Sequence, residues 1–293
     1  MNGTKRAIVP FDFSAERDPL PGVQAPLNAL SSFTILSGRP GSGKTTALLN
    51  LLMRKQHYGG KFDAVYIISP SFGSVDPSLL ASIPKDQVFN ELNPETLNEI
   101  LAQIYAKHQG KKVLLVLDDV VNDLAHNATQ RSLQKLLFNR RHLTSKDPDA
   151  KRGGFVSVIM TTQVLNRIPL MLRKMSNSVW LWPTRSQPEI RSIRDELVPT
   201  SKEAFKAVVD RVWTGQHDPL IVDVDGGHFW HIDQAGKFAR IVSPEEYENN
   251  NNSGVAPVTT EPAEAEADHT QSYDDLLSDV YHGVINRYKQ MYN

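Results

Sequence analysis

The stretch FTILSGRPGSGKTTALLNLL, residues 33–52, limits the fold more than any other part of the chain. A short apolar run ends at Ser37, a loop with three glycines follows, and leucines at 48, 49, 51 and 52 mark a helix. Strand, glycine-rich loop and helix in that order, with the spacing G-x4-G-K-T over GRPGSGKT, are the pattern of a phosphate-binding loop. Gly38, Gly41 and Gly43 let the backbone curl so that its N–H groups can surround phosphate oxygens. The cradle comprises Gly38, Arg39, Pro40, Gly41, Ser42, Gly43, Lys44, Thr45 and Thr46. Lys44 is expected to reach the β- and γ-phosphates of ATP and the Thr45 hydroxyl to ligate Mg²⁺. The start of the helix adds partial positive charge at the same place.

A hydrolytic site needs carboxylates, and VLLVLDDV supplies a pair. So apolar a strand has little reason to end in two acids unless their charge is balanced. Mg²⁺ would provide that balance, with Asp118 holding it through water and Asp119 orienting or deprotonating the attacking water. The alternative is a pair of aspartates capping the next helix. A third element is VIMTTQ, which puts Gln163 just past another buried strand, where ligands sit in open α/β sheets. There an amide can accept a hydrogen bond from water and donate one to a γ-phosphate oxygen, as a sensor; a plain turn residue is the other possibility.

Five apolar runs read as buried strands: FTILS, AVYIIS, VLLVL, FVSVIMT and SVWLW. They are apolar on both faces, as strands covered on both sides are. Helical spacing lies between them at Leu97, Ile100, Leu101, Ile104 and Tyr105, and again at Leu133, Leu136 and Leu137. Strands alternating with helices predict an α/β fold with a mostly parallel central sheet flanked by helices, and the phosphate loop makes it a P-loop NTPase fold. A helix over 202–212 follows, then a hairpin of PLIVDV and HFWHI, forming a small C-terminal β-hairpin and helix region. Residues 1–30, broken by four prolines, read as an extended strap, and the ATPase domain as 31–244. Residues 245–272 read as a disordered acidic linker and 273–293 as a short amphipathic helix.

The formal net charge of −1 hides an asymmetry. From Glu245 onward ten acidic residues face two basic ones, which leaves the preceding body at +7. A basic body with an acidic tail suits a protein that meets nucleic acid, although an ordinary acidic tail has the same composition. The absence of cysteine excludes disulfides and thiolate metal sites. With no apolar run near ~18 residues and no apolar segment of the signal-peptide kind at the start, a soluble intracellular chain with no transmembrane segment is expected.

The ordered set GRPGSGKTT, LLVLDD, LLFNRRHLT and VIMTTQVLNRIPLMLRKMSNSVWLW resembles the FtsK–HerA superfamily of ring-forming, DNA-pumping ATPases. Within it the resemblance is to the poxvirus-type genome-packaging ATPases of large DNA viruses and virophages. It spans roughly residues 32–182, with the later helix and hairpin agreeing more weakly. The resemblance implies a RecA-like nucleotide-binding core with an extra strand between the loop strand and the aspartate strand, and a pentameric or hexameric ring around double-stranded DNA. It also implies that Lys44 and Thr45 bind nucleotide and Mg²⁺, with Asp118 as metal carboxylate, Asp119 as catalytic carboxylate and Gln163 as sensor. Many relatives carry Glu where this chain has Asp119; the viral branch often has Asp. Such rings use a cation from the neighbouring subunit, and Arg141 is the first candidate, then Arg140 and Arg173. Solvated or helix-end arginines are the other reading of all three.

The loop RRHLTSKDPDAKRGGF offers Lys146, Lys151 and Arg152 as backbone-directed DNA contacts, or simply as solvated charge. The terminal segment Tyr273–Asn293, with Tyr281, Val284 and Tyr288 on one face, fits a docking peptide for a capsid portal or vertex or an internal membrane protein; packing back on its own domain is the alternative. The expected function is ATP-driven packaging of double-stranded DNA into a preformed capsid, in the host-cell cytoplasm, a virus factory or the virion. The alternatives are a conjugation- or segregation-type DNA pump, a P-loop kinase, and a nucleotide-dependent switch without transport.

Overall fold

Six strands run parallel and three more extend the same sheet antiparallel, in a computed structural model that describes residues 20–23, 25–27, 30–71, 83–145, 155–197, 201–233 and 236–241. The strands are β1 (Phe33–Ser37), β2 (Ala64–Ile68), β3 (Val88–Phe89), β4 (Lys112–Leu117), β5 (Phe155–Thr162), β6 (Ser178–Leu181), β7 (Leu220–Asp223), β8 (His228–Ile232) and β9 (Phe238–Ile241). The helices are α1 (Lys44–Met53), α2 (Pro94–Lys107), α3 (Asn127–Asn139), α4 (Leu170–Arg173), α5 (Gln187–Ser192) and α6 (Lys202–Val212). Spatial order is β3-β2-β4-β5-β1-β6-β7-β8-β9. The chain is thus the expected α/β P-loop fold, and β5 is the strand inserted between β1 and β4.

Apart from the two-residue β3, each parallel strand is buried along nearly its whole length, yet its residues still divide by alternation between two clusters. Val113, Leu115 and Leu117 of β4, with Val156, Val158 and Met160 of β5, point to one side. There they meet Leu97, Ile100 and Ile104 of α2, Leu133, Leu136 and Leu137 of α3, and Phe205 and Val208 of α6. Leu114, Val116, Ile159, Trp180 and Trp182 point to the other side, against Leu48 and Leu51 of α1 and the early residues Leu20, Val23 and Leu27. The end of the N-terminal strap is therefore part of the core; Tyr58 donates its hydroxyl to the Leu27 carbonyl at 3.2 Å.

Local signals explain where the helices begin. Asn93 accepts from the Thr96 N–H at 2.8 Å ahead of Pro94, and Ser201 accepts from the Ala204 N–H at 3.0 Å. Both are N-caps of the ordinary kind.

The C-terminal hairpin is not a separate region. Leu220 to Asp223 pairs antiparallel with β6, so the three last strands complete the sheet edge and satisfy its backbone groups. Two strands escaped the sequence reading: β3, with two residues, and β9, whose FARI is only partly apolar. Residues 1–19, Lys146, Lys151, Arg152, the acidic linker 245–272 and the segment Tyr273–Asn293 lie outside the described residues. No helix among the described residues is long and apolar enough to cross a membrane.

Candidate active site

Parallel strands put all their carboxyl ends on one edge of the sheet, and the polar residues singled out in the sequence gather there. The Gly38 N–H donates to the Thr162 carbonyl at 3.1 Å, so the phosphate loop leaves β1 tied to the end of β5. Gly41 and Gly43 have φ of 75° and 99°, conformations that side chains rarely adopt. Lys44 opens α1 and its Nζ donates to the carbonyls of Gly38 and Arg39. Burial holds its ammonium below the usual lysine range, while Asp119 and then Asp118 pull it back up. The Thr45 and Thr46 side chains are exposed on the wall of a cavity of about 740 Å³.

Across that cavity stand the two aspartates. Asp118 accepts from the Ser69 hydroxyl at 3.1 Å and from the Thr161 hydroxyl at 2.7 Å. Thr161 Oγ1 in turn accepts the Asp119 N–H at 3.0 Å, so one hydroxyl fixes both acids. Asp119 has φ 53°, a left-handed conformation that Asp tolerates better than most residues. Such conformations cost of order 1–3 kcal/mol and collect at functional sites. The Asp119 carboxylate receives the Gln163 amide N–H at 3.0 Å. Behind Gln163 the chain is anchored, since the Leu165 N–H donates to the buried Glu189 at 2.8 Å.

Lys44, Thr45, Thr46, Asp118, Asp119 and Gln163 therefore line one cavity. The helix-cap reading of the aspartates finds no counterpart: α3 begins after His126, with no side-chain cap. Sequence reasoning missed Ser69 and Thr161. It also missed the turn before β7, where His217 Nδ1 lies 3.1 Å from the Ser42 carbonyl and the Gln216 amide oxygen accepts from Arg39 at 3.4 Å.

The three arginines part company. Arg140 is buried and commits its guanidinium to the Ser31 carbonyl at 2.6 Å, the Leu137 carbonyl at 2.7 Å and Asn177 Oδ1 at 3.1 Å. Burial, with Arg141 adjacent, pushes its pKa down to about 10. Arg173 is likewise buried, paired with Glu196 at 2.8 Å and bound to the Ile168 carbonyl at 2.6 Å. Neither guanidinium is placed to reach out of the subunit, which corrects their candidacy as cations offered to a neighbour. Arg141 is exposed. It sits beside the amino end of β5, whose eight residues span about 25 Å at roughly 3.3 Å each. It cannot reach its own chain's aspartates.

Mg²⁺ fits this donor set. The Thr45 hydroxyl is free to coordinate, Asp118 lies across the cavity, and a site of this type takes its other ligands from water and phosphate oxygens. Among the described residues no group of three or more His, Asp or Glu side chains forms a metal cage of its own.

Comparison with known proteins places residues 25–150 in a match to the NB-ARC domain family. No curated protein matches the chain. Among solved structures, the genome packaging NTPase B204 from Sulfolobus turreted icosahedral virus 2, in complex with AMPPCP, is similar over 72% of this chain and 97% of its own, at 18% identity and a TM-score of 0.47. The DNA-packaging ATPase B204 from Sulfolobus turreted icosahedral virus is similar over 73% and 98%, at 16% identity and a TM-score of 0.49. The pCW3 conjugation coupling protein TcpA is similar over 66% and 57%, at 12% identity and a TM-score of 0.40. The loop, the carboxylates, the sheet order and the family match agree on a nucleotide-binding P-loop NTPase, an enzyme of the ATPase class.

Proposed function

We propose that the chain hydrolyses ATP to drive double-stranded DNA into a preformed capsid, working as a homo-oligomeric ring. The observation that carries the hydrolytic part is the contact of Asp119 with Gln163, which lies just past the strand inserted between the loop strand and the aspartate strand. Both side chains face the cavity that also holds Lys44 and Thr45.

In this reading the loop amides and the Lys44 ammonium hold the β- and γ-phosphates, Lys44 exchanging its two loop carbonyls for phosphate oxygens. Thr45 would ligate Mg²⁺ and Asp118 would hold its water shell; when bound, the ion neutralises charge on the β- and γ-oxygens. Asp119, fixed by Thr161 and Gln163, accepts a proton from the attacking water. The water oxygen bonds to the γ-phosphorus, the bond to the β–γ bridging oxygen breaks, and ADP and inorganic phosphate leave. Gln163 keeps its second N–H and its amide oxygen for the γ-phosphate and the water.

The ring rests on Arg141. An exposed arginine that its own site cannot use is suited to a neighbour's γ-phosphate, as the motif resemblance implies. DNA coupling rests on that resemblance and on the +7 body, with Lys146, Lys151 and Arg152 as backbone contacts. Tyr273–Asn293 would dock to the capsid vertex or an internal membrane protein, in the cytoplasm or virus factory of an infected cell. Phosphate release by the purified chain, with and without duplex DNA, tests the reading. DNA is expected to raise turnover. Steady turnover indifferent to DNA, with unchanged DNA affinity after triple substitution at 146, 151 and 152, would remove DNA from the account.

A further inference from the structure

Among the described residues, one face of the sheet carries few helices. Nine strands about 4.8 Å apart make a sheet roughly 38 Å wide, while a helix with its side chains is about 10–12 Å across. Of the described helices, only α1 contributes buried residues to the cluster on this face. The cavity occupies the space beside it. From Lys44, Asp119 and Gln163 it continues past Asn50 of α1 and Arg54 just beyond its end, and reaches Ile232 and Phe238.

The two ends of this cavity differ in chemistry. The first is built for phosphate. The second has a floor of Trp180 and Trp182, whose ring centroids are 6.5 Å apart. Phe238 stands edge-on to Trp180 at 5.7 Å and tilted against His57 at 5.4 Å. Burial lowers the pKa of His57. The phosphate loop rests on the same floor: a Cβ on Gly38 would come 2.7 Å from the Trp182 Cβ, and one on Gly43 would come 3.7 Å from the Trp182 Nε1. The indole N–H groups of Trp180 and Trp182 are buried and without acceptors among the described residues. Asn50 of α1 and Arg54 just beyond it add donors. Lys44 and Arg54 are ten residues apart in sequence, about 15 Å of helix, the length scale on which a nucleoside triphosphate separates its terminal phosphate from its base.

We propose that the aromatic arm of the cavity is a nucleobase subsite that takes a purine against Phe238 above the Trp180 and Trp182 floor. A purine supplies ring-nitrogen acceptors for the Asn50 and Arg54 side chains and two fused rings for the aromatic wall. The antiparallel strands β8 and β9 then serve the nucleotide site directly, as one wall of a base pocket whose phosphate loop lies nearly 200 residues earlier. This inference rests on the nucleotide site described above and adds which part of the nucleotide, beyond its phosphates, the chain recognises.

Calorimetric titration of the full chain in Mg²⁺, with ATP and with inorganic tripolyphosphate, tests it. Base stacking on an aromatic side chain is worth about 1–3 kcal/mol, so ATP should bind roughly 5- to 160-fold tighter than tripolyphosphate. Phe238→Ala should erase most of that difference while leaving tripolyphosphate affinity unchanged. Phe238→Tyr, which keeps the ring and guards against a merely misfolded alanine variant, should restore it. Lys44→Ala should weaken both ligands. Equal affinity of the wild-type chain for ATP and tripolyphosphate would overturn the base subsite while leaving the phosphate site intact. An equal loss of both ligands in Phe238→Ala would also overturn it. Failure of both ligands to bind the wild-type chain would refute the nucleotide site itself.

Discussion

The two edges of the parallel sheet are built from the same strands and use charge in opposite ways. At the carboxyl edge Lys44, Asp118, Asp119 and Gln163 face a cavity, and their contacts with one another leave hydrogen-bonding capacity for a ligand. At the amino edge all three guanidinium nitrogens of Arg140 are engaged, by Ser31, Leu137 and Asn177, which ties the end of α3 to the starts of β1 and β6. Its neighbour Arg141 is exposed. A buried charge engaged at every nitrogen is a structural part, and one left open is available for chemistry. Adjacent arginines therefore have separable effects, and so do the two edges.

Arg141→Ala should show the largest effect. A trans-acting arginine contributes about 10³–10⁵ in rate, so turnover should collapse while ATP affinity and melting temperature stay put. Preserved turnover would take Arg141 out of the mechanism and leave the ring without its catalytic argument. At the opposite edge Asp119→Asn should lower turnover by about 10²–10⁴, the usual range for loss of a general base, again without loss of stability. Arg140→Ala should reverse the pattern. Stranding its buried acceptors should cost about 3 kcal/mol, read as a lower urea midpoint, with ATP affinity unchanged in the folded protein. An Arg140 variant that is stable but inactive would erase the distinction between the two arginines.

A smaller effect concerns pH. Burial lowers the pKa of His108, which lies against the Tyr66 hydroxyl at 3.0 Å, and that of His57. A histidine depressed in the folded state contributes stability above its unfolded value near 6.5 and loses it as pH falls toward the folded value. Stability should therefore decline on the acid side of about 6.5. His108→Gln should flatten part of that decline in melting curves taken across the range. On the alkaline side, the lowered Lys44 pKa should make ATP affinity fall at a lower pH than an ordinary lysine would give.

The strand, loop and helix of residues 33–53 were legible because the glycine spacing admits few other conformations. Asp118, Asp119 and Gln163 were legible because polar residues at the end of an apolar run stand out. Ser69 and Thr161 stand in the same places, yet a hydroxyl at a strand end fits a buried backbone as well as a catalytic network and carries no signal. His217 lies 175 residues from Ser42 in sequence, and only the antiparallel extension of the sheet brings them together. Arg140 and Arg141 are indistinguishable in NRRHL; the turn that ends α3 decides which points inward. Position along the chain tells little about burial where helical phase is lost.

The central claim is that the cavity at the strand ends hydrolyses the nucleotide it holds. Its most direct test is phosphate release from Mg-ATP by the wild-type chain and Asp119→Asn, with ATP affinity measured on both. The wild-type chain should release phosphate, and the variant should bind ATP as tightly while turning over at least 100-fold more slowly, about the lower bound for a lost general base. Equal turnover by the two proteins would contradict the assignment of this site.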